Sequence, residues 1–295
     1  MRLKELISHV DYAVRTLVLR KRIPYMIGII LTDKCNLNCV HCLGKNKGQV
    51  HCAYDEAAAA MQEAFSRGNR YVYFSGGEPH LWKDTGHTLG DLISLAKDIG
   101  FFDVFVATNG THPLTRKDCL YYISIDGVPE VHDEIRGESF RAIMKNIEDS
   151  PSRRIYVTIT ITKRNHLILE EFARDIAEIG KVRGILINFF TGDDYHVEDH
   201  GLSPDEKSRV IDSLIKLKHE GLPFEISYSA LEAIRKNDWK RPIASLELFL
   251  NGRVYTCCRD YGQQEICNNC GYGECVEISQ ILKLRPDALM RVFRT

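Results

Sequence analysis

The chain has 295 residues, which at roughly 150 per domain suggests two domains, although α/β barrels of about 200–250 residues count as one. Hydrophobic residues make up 44% and charged residues 27%, values that exclude a disordered chain. Thirty-nine Lys and Arg against forty Asp and Glu give a formal charge of -1, so there is no overall electrostatic case for nucleic-acid binding.

Leu3, Leu6, Ile7, Val10, Val14, Leu17 and Val18 recur at helical spacing, so residues 2–19 are expected as an amphipathic helix, with Arg20, Lys21 and Arg22 behind it. The basic residues beside an apolar stripe allow a peripheral membrane contact through residues 2–22; packing against the following domain is the more ordinary fate of such a helix. The charges in this segment exclude a signal peptide. The apolar run Tyr25–Leu31 is far shorter than the ~20 residues of a membrane span. A cytoplasmic protein is expected.

From Pro24 onward strand and helix patterns alternate. Strands are expected at 26–32, 70–75, 103–108, 119–126, 154–162 and 183–190, and helices at 54–67, 87–99, 140–149 and 167–180, with a shorter piece near 114–118. Such alternation predicts a parallel sheet of βα units, and six strands fit a partial (β/α)6 TIM-like barrel. Its site would lie at the C-terminal strand ends. In the fifth strand Ile155, Val157, Ile159 and Ile161 share one face and Tyr156, Thr158, Thr160 and Thr162 the other. With Tyr71, Tyr73 and Ser75, and Tyr122, Ser124 and Asp126, this gives a polar, hydroxyl-rich lumen.

After Phe190 the alternation fades. A helix is expected at 203–220, with Ser203 as N-cap and Pro204 at the first position. A strand at 225–228, a short helix at 230–236 and a closing helix at 278–293 follow. Between them, Leu246–Leu250, Asn251-Gly252 and Arg253–Cys257 read as a hairpin with a type I′ turn. The expected division is 1–23 N-terminal helix, 24–200 barrel, and 201–295 a C-terminal region with the hairpin and a cysteine cluster.

The ten cysteines are clustered, which in an intracellular chain points to metal or redox chemistry more than to disulfides. Cys35, Cys39 and Cys42 follow the first strand at x3 and x2 spacing. A structural zinc site wants four ligands, and the fourth would have to be His51 or Cys52. Three thiolates suit a [4Fe–4S] cluster with one open iron. Cys-x3-Cys-x2-Cys in this position, with His41 before the third cysteine, resembles the radical S-adenosylmethionine (radical SAM) superfamily. Ser75-Gly76-Gly77-Glu78-Pro79 at the end of the second strand resembles its GGEP segment.

The resemblance implies that Cys35, Cys39 and Cys42 hold a [4Fe–4S] cluster that chelates SAM, and that reductive cleavage gives a 5′-deoxyadenosyl radical which abstracts hydrogen from a substrate. It implies that His41 contacts adenine and that Gly76, Gly77, Glu78 and Pro79 bind the SAM amino group. Thr108-Asn109-Gly110, Ser124-Ile125-Asp126-Gly127 and His132 to Gly137 stand near strand ends where such enzymes contact SAM. Asn109, Ser124, Asp126, Arg136 and Thr160 are the candidates carried over, each with a turn or cap as its ordinary alternative.

Cys257, Cys258, Cys267, Cys270 and Cys275 form a second cluster, enough for zinc or a fully ligated [4Fe–4S] cluster. Adjacent cysteines on a strand face opposite ways, so only one of Cys257 and Cys258 is expected as a ligand. The arrangement resembles a shortened SPASM, or Twitch, domain, implying a small C-terminal iron–sulfur extension. Its last loop is one residue shorter than the common form, which keeps zinc open. Cys52 and Cys119 are left over, Cys119 as a small buried hydrophobe. His196 and His200 do not form His-Glu-x-x-His, since Val197 stands in the acid's place. Gly192–Gly201 is read as a loop with Asp193, Asp194 and His196 as acid/base or substrate contacts.

A low-potential electron donor is an implied partner. Substrates of such relatives include peptides and cofactor precursors, and the segment from His200 to Cys258 resembles radical SAM enzymes that build hopanoid or related lipids. The competing class is a non-catalytic iron–sulfur sensor or electron carrier, which leaves the GGEP segment unexplained.

Overall fold

The computed structural model describes residues 3–44, 46–258, 260 and 262–292. Met1 and Arg2 of the N-terminal segment and Phe293, Arg294 and Thr295 at the end lie outside them.

The strands in chain order are β1 (Met26–Thr32), β2 (Tyr71–Gly76), the short pair β3 (Lys83–Asp84) and β4 (His87–Thr88), β5 (Asp103–Thr108), β6 (Leu120–Ser124), β7 (Ile155–Ile161), β8 (Val182–Phe189), β9 (Leu246–Leu250) and β10 (Arg253–Thr256). The main sheet runs β10-β9-β1-β2-β5-β6-β7-β8. Six strands from β1 to β8 are parallel, the expected α/β partial barrel. Its β1 is buried along almost its whole length, as a central parallel strand requires. β7 alternates, burying Ile155, Val157, Ile159 and Ile161 under the helices and turning Tyr156, Thr158 and Thr160 to the lumen.

The helices are α1 (Leu3–Ala13), continued by a π-turn at Val14–Val18, then α2 (Tyr54–Arg67), α3 (Leu89–Ile99), α4 (Pro129–Arg136), α5 (Phe140–Asp149), α6 (Leu169–Ala177), α7 (Asp194–His200), α8 (Pro204–His219), α9 (Tyr228–Arg235), α10 (Gln264–Asn268), α11 (Gly273–Leu282) and α12 (Pro286–Val292). Ser203 caps α8 through a reciprocal bond with Glu206, as its sequence signal indicates.

Several expectations are corrected. Residues 114–118 form no helix: Leu114 is buried and Arg116 turns back onto Asp118 at 2.7 and 2.8 Å. The strand at 225–228 is replaced by a single bridge between Phe224 and Ile185, because Ser227 is already the N-cap of α9. The closing helix is two helices, broken where Leu284 takes φ +56° just before Pro286. Gly192–Gly201 is not a loop; Asp193 caps α7 by accepting from the His196 N–H.

The C-terminal hairpin is part of the main sheet. β9 lies parallel to β1, and β10 lies antiparallel to β9. Asn251 and Gly252, both at positive φ, make the turn. At the opposite edge the segment leading into α11 covers β8: Phe189 N–H donates to Gly271 O at 2.9 Å, and Gly273 N–H to Asn188 Oδ1 at 2.8 Å. A Cβ at Gly273 would fall 2.0 Å from the Ile187 carbonyl, so only glycine permits this approach. No described helix is long and apolar enough to cross a membrane.

Candidate active site

The first cysteines stand on the loop that leaves β1. Two features fold that loop back over the strand ends. Asn46, at φ +50°, accepts from Cys35 N–H at 2.9 Å and donates to Cys35 O at 3.2 Å. The Val40 N–H donates to Ile135 O in α4 at 3.0 Å. Cys39 is buried, Cys35 half-buried and Cys42 exposed.

The two glycines after β2 clamp the root of this loop. Gly77 N–H donates to Thr32 O at 2.7 Å and Glu78 N–H to Lys34 O at 2.8 Å. A Cβ at Gly77 would lie 2.3 Å from the Lys34 carbonyl oxygen, and one at Gly76 would lie 2.2 Å from that of Thr32. Pro79 opens a short 3-10 turn. Glu78 is fully buried behind the glycines and accepts four bonds: from His80 N at 3.1 Å, His80 Nδ1 at 2.7 Å, Thr108 Oγ1 at 2.9 Å and Asn109 N at 2.8 Å. Burial works against its charge, but His80 and these N–H donors outweigh it and hold the carboxyl below the usual range. Its charge therefore ties the end of β2 to the end of β5.

Asn109 continues from that clamp to the cysteine loop, donating to Asn36 Oδ1 at 2.9 Å and toward Cys35 Sγ at 3.7 Å. On the other side, Asp126 follows β6 and is fully buried. It accepts from Arg136 Nε at 2.5 Å and from Thr160 N at 2.9 Å, with His41 Nε2 3.6 Å away. Burial opposes ionisation of Asp126, yet Arg136 and His41 outweigh it and keep the carboxyl low. Arg136 then donates through Nη1 to Cys39 Sγ at 3.9 Å. Burial raises the Cys39 thiol, while Arg136 pulls the other way and Cys42 and Cys35 add to the rise.

The candidates Cys35, Cys39, Cys42, His41, Gly76, Gly77, Glu78, Pro79, Asn109, Asp126, Arg136 and Thr160 are thus linked at the C-terminal ends of β1, β2, β5, β6 and β7. Ser124 ends β6, half-buried. Sequence reasoning missed Asn46 and Asn36, and it placed His132 in the stretch His132 to Gly137 without carrying it over as a site residue. His132 accepts the Asp126 N–H at its Nδ1 and lies 3.0 Å from Ser139 Oγ through Nε2. Asn46 had a turn signal in Asn46-Lys47-Gly48; Asn36 had none. Cys52 packs in the core and Cys119 is fully buried; burial pushes them to about 12 and about 11.

The second cluster also departs from expectation. Cys257 takes φ +72°, which ends the strand alternation. Cys257 and Cys258 consequently line one small cavity with Cys267, Cys270, Trp239 and Arg241. The two side chains therefore do not face opposite ways, which was the ground for expecting only one of them as a ligand. Cys258 pulls the Cys257 thiol down, but Cys275 and burial outweigh that pull and push the thiol up to about 12. Burial pushes Cys270 up to about 12, so a metal would have to displace its proton. Arg241 stacks on Trp239 at 4.2 Å beside these thiols. His196 stays with Asp193 at 2.5 Å, and Asp194 accepts from Asn269 at 2.7 Å, which ties α7 to the cysteine loop.

Among the described residues no three His, Cys, Asp or Glu side chains close on a single-ion site. A cubane cluster does not require that, since each thiolate binds a different iron. Three thiols on one clamped loop, with N–H donors from Asn109 and Arg136 toward two of the sulfurs, fit such a group.

Residues 29–166, a little under half of the chain, match the family model of the radical SAM superfamily. Among curated relatives, the chain is 28% identical over 217 residues to the Fe-coproporphyrin III synthase of Methanosarcina barkeri, covering 66% of this chain and 53% of that protein. It is 29% identical over 228 residues to the AdoMet-dependent heme synthase of the same organism, covering 67% and 59%. A probable GTP 3′,8-cyclase of Methanocella arvoryzae is 25% identical over 251 residues, covering 79% and 78%. The chain thus spans little more than half of the first two relatives. Among solved structures, Streptococcus suis SuiB bound to the precursor peptide SuiA gives a TM-score of 0.64 at 13% identity, covering 88% of this chain and 65% of that one. The anSMEcpe structure with AdoMet and the Kp18Cys peptide gives 0.58 at 15%, covering 91% and 82%. These structures share the fold.

Proposed function

We propose that this protein is a radical SAM enzyme that cleaves S-adenosylmethionine reductively and takes a hydrogen from a substrate held at the barrel mouth. The observation carrying this reading is the continuous array Asp126–Arg136–Cys39, which couples the strand ends to the cysteine loop. Cys35, Cys39 and Cys42 would hold the [4Fe–4S] cluster. That group, when bound, supplies the electron that breaks the C5′–S bond of SAM, drawn from a low-potential donor.

The chain's own residues would do the rest. The Gly76-Gly77 segment, with the Glu78 charge behind it, favours the SAM ammonium. Arg136 supplies a buried cation beside Cys39, and Asp126 keeps it charged and aimed. His41 and Asn109 flank the loop where adenine and ribose would lie, with Ser124 and Thr160 at neighbouring strand ends. Tyr73, Tyr122, Tyr156 and Thr158 line the lumen below; Thr158 Oγ1 is buried without a hydrogen-bond partner. This supports a substrate with a polar group, a cofactor precursor or peptide before a wholly apolar lipid. Cys257, Cys258, Cys267, Cys270 and Cys275 would hold a second [4Fe–4S] cluster, with zinc as the other occupant the thiols allow. A reduced cytoplasm suits such sites.

The test is anaerobic reconstitution with iron and sulfide, addition of SAM and dithionite, and detection of 5′-deoxyadenosine by mass spectrometry. Product from the wild type, and none from the Cys35→Ala/Cys39→Ala/Cys42→Ala variant, is expected. An iron-loaded wild type that makes no product even with candidate substrates would favour a non-catalytic iron–sulfur sensor or carrier.

A further inference from the structure

The N-terminal helix sits on the barrel with its polar, aromatic side. His9 Nε2 lies 3.1 Å from the Tyr71 hydroxyl, the His9 ring meets Tyr25 edge-on at 5.6 Å, and Tyr12 stacks on Tyr25 at 4.2 Å. The Tyr12 hydroxyl also bonds Ser245 ahead of β9. The apolar stripe faces away: Ile7 is 60% exposed, Val10 54% and Val18 72%, with Leu6, Val14 and Leu19 also exposed. At ~100° per residue, Leu6, Ile7, Val10 and Val14 fall within one arc of roughly 100°, opposite His9 and Tyr12. The two faces are inverted relative to a helix that packs by its apolar side.

Arg20, Lys21 and Arg22 follow directly and are exposed. An apolar face rimmed by adjacent cations is complementary to one kind of surface, an anionic bilayer: side chains such as Val10 and Val18 enter the acyl boundary while the cations meet the headgroups. We propose that α1 with its π-turn is a peripheral membrane-docking element that seats the base of the barrel on an anionic membrane surface. The chain would lie on the bilayer without crossing it.

The test is flotation of the full chain with vesicles of phosphatidylcholine alone and with one-third phosphatidylglycerol. Binding is expected to the anionic vesicles, much weaker binding to the neutral ones, and loss as salt is raised. Val10→Glu/Val18→Glu should abolish flotation with little change in melting temperature, because both side chains are exposed. Lys21→Glu/Arg22→Glu should weaken binding roughly fivefold or more for each cation removed. Failure to float at low salt, or flotation unaltered in both variants, would overturn the proposal. So would a stable dimer in sedimentation velocity that Val10→Glu/Val18→Glu dissociates, since a second copy would then cover the face. The readout is independent of SAM chemistry.

Discussion

Arg136 bonds Asp126 and the Cys39 sulfur at once, at 2.5 Å and 3.9 Å, so one guanidinium joins the end of β6 to the cysteine loop. Because Asp126 has no exposure to solvent, Arg136→Ala would leave a buried charge uncompensated, costing about 3–5 kcal/mol. Arg136→Lys keeps a cation but not the fork that reaches both partners. The alanine variant is expected to melt earlier and retain little iron, and the lysine variant to melt near the wild type while still holding less iron. Calorimetry and iron analysis on the same samples check this; an alanine variant with wild-type melting and iron would refute the linkage.

Gly77 offers a sharper test of the clamp. An added Cβ would meet the Lys34 and Asp33 carbonyl oxygens at 2.3 and 2.6 Å, both backbone, so the loop root must move. Gly77→Ala should cost about 1–3 kcal/mol or more and lower iron retention. Gly180, with nothing near an added Cβ, is the control: Gly180→Ala should stay within about 0.5 kcal/mol. Denaturant melts of the two variants side by side decide it.

The parts of this site that were legible in the sequence are those written in consecutive residues: Cys35-x3-Cys39-x2-Cys42, Gly76-Gly77-Glu78-Pro79, and the alternation of β7. What escaped depends on contacts between distant segments. The pairing of β9 with β1, more than 200 residues apart, leaves no mark in local pattern, so the hairpin read as an appendage. The burial of Glu78 and its four donors were not legible, because they come from β5 and the turn after β2. The strand alternation assumed for Cys257 and Cys258 ends at one backbone angle, since it holds only while the strand continues. α4 and α7 were missed although their signals were present, Pro129 at a first helical position and Asp193 as an N-cap.

His132 should give the fold an acid weakness. Its ring is fully buried, accepts the Asp126 N–H, and is pushed down to about 4 by burial, with Arg136 adding to the effect. An unfolded histidine titrates near 6.5, so the unfolded chain binds the extra proton first. Stability should be complete above about pH 6.5, fall as the pH drops toward 4 and level off below, losing on the order of 3 kcal/mol from this group. His132→Gln should remove that slope while lowering stability at pH 7.5. Urea melts at pH 7.5, 6.5 and 5.5 on both proteins measure the difference, and parallel pH profiles would count against it.

The second cysteine cluster stands where the two edges of the sheet meet. Cys257 and Cys258 follow β10, whereas Cys270 and Cys275 flank the segment that covers β8 through Gly271 and Gly273. A metal group bound by both sets would cross-link the first and last strands of the sheet, removing freedom from each. Loading should therefore slow hydrogen exchange of β10 and of residues 270–276 together, and Cys270→Ala should speed both while leaving β5 and β6 unchanged. Iron analysis separates the occupants: loss of about four irons per chain in the variant indicates a cubane, and loss of about one zinc indicates the tetrahedral alternative. Exchange that changes at only one edge would mean that the thiols bind metal without closing the barrel.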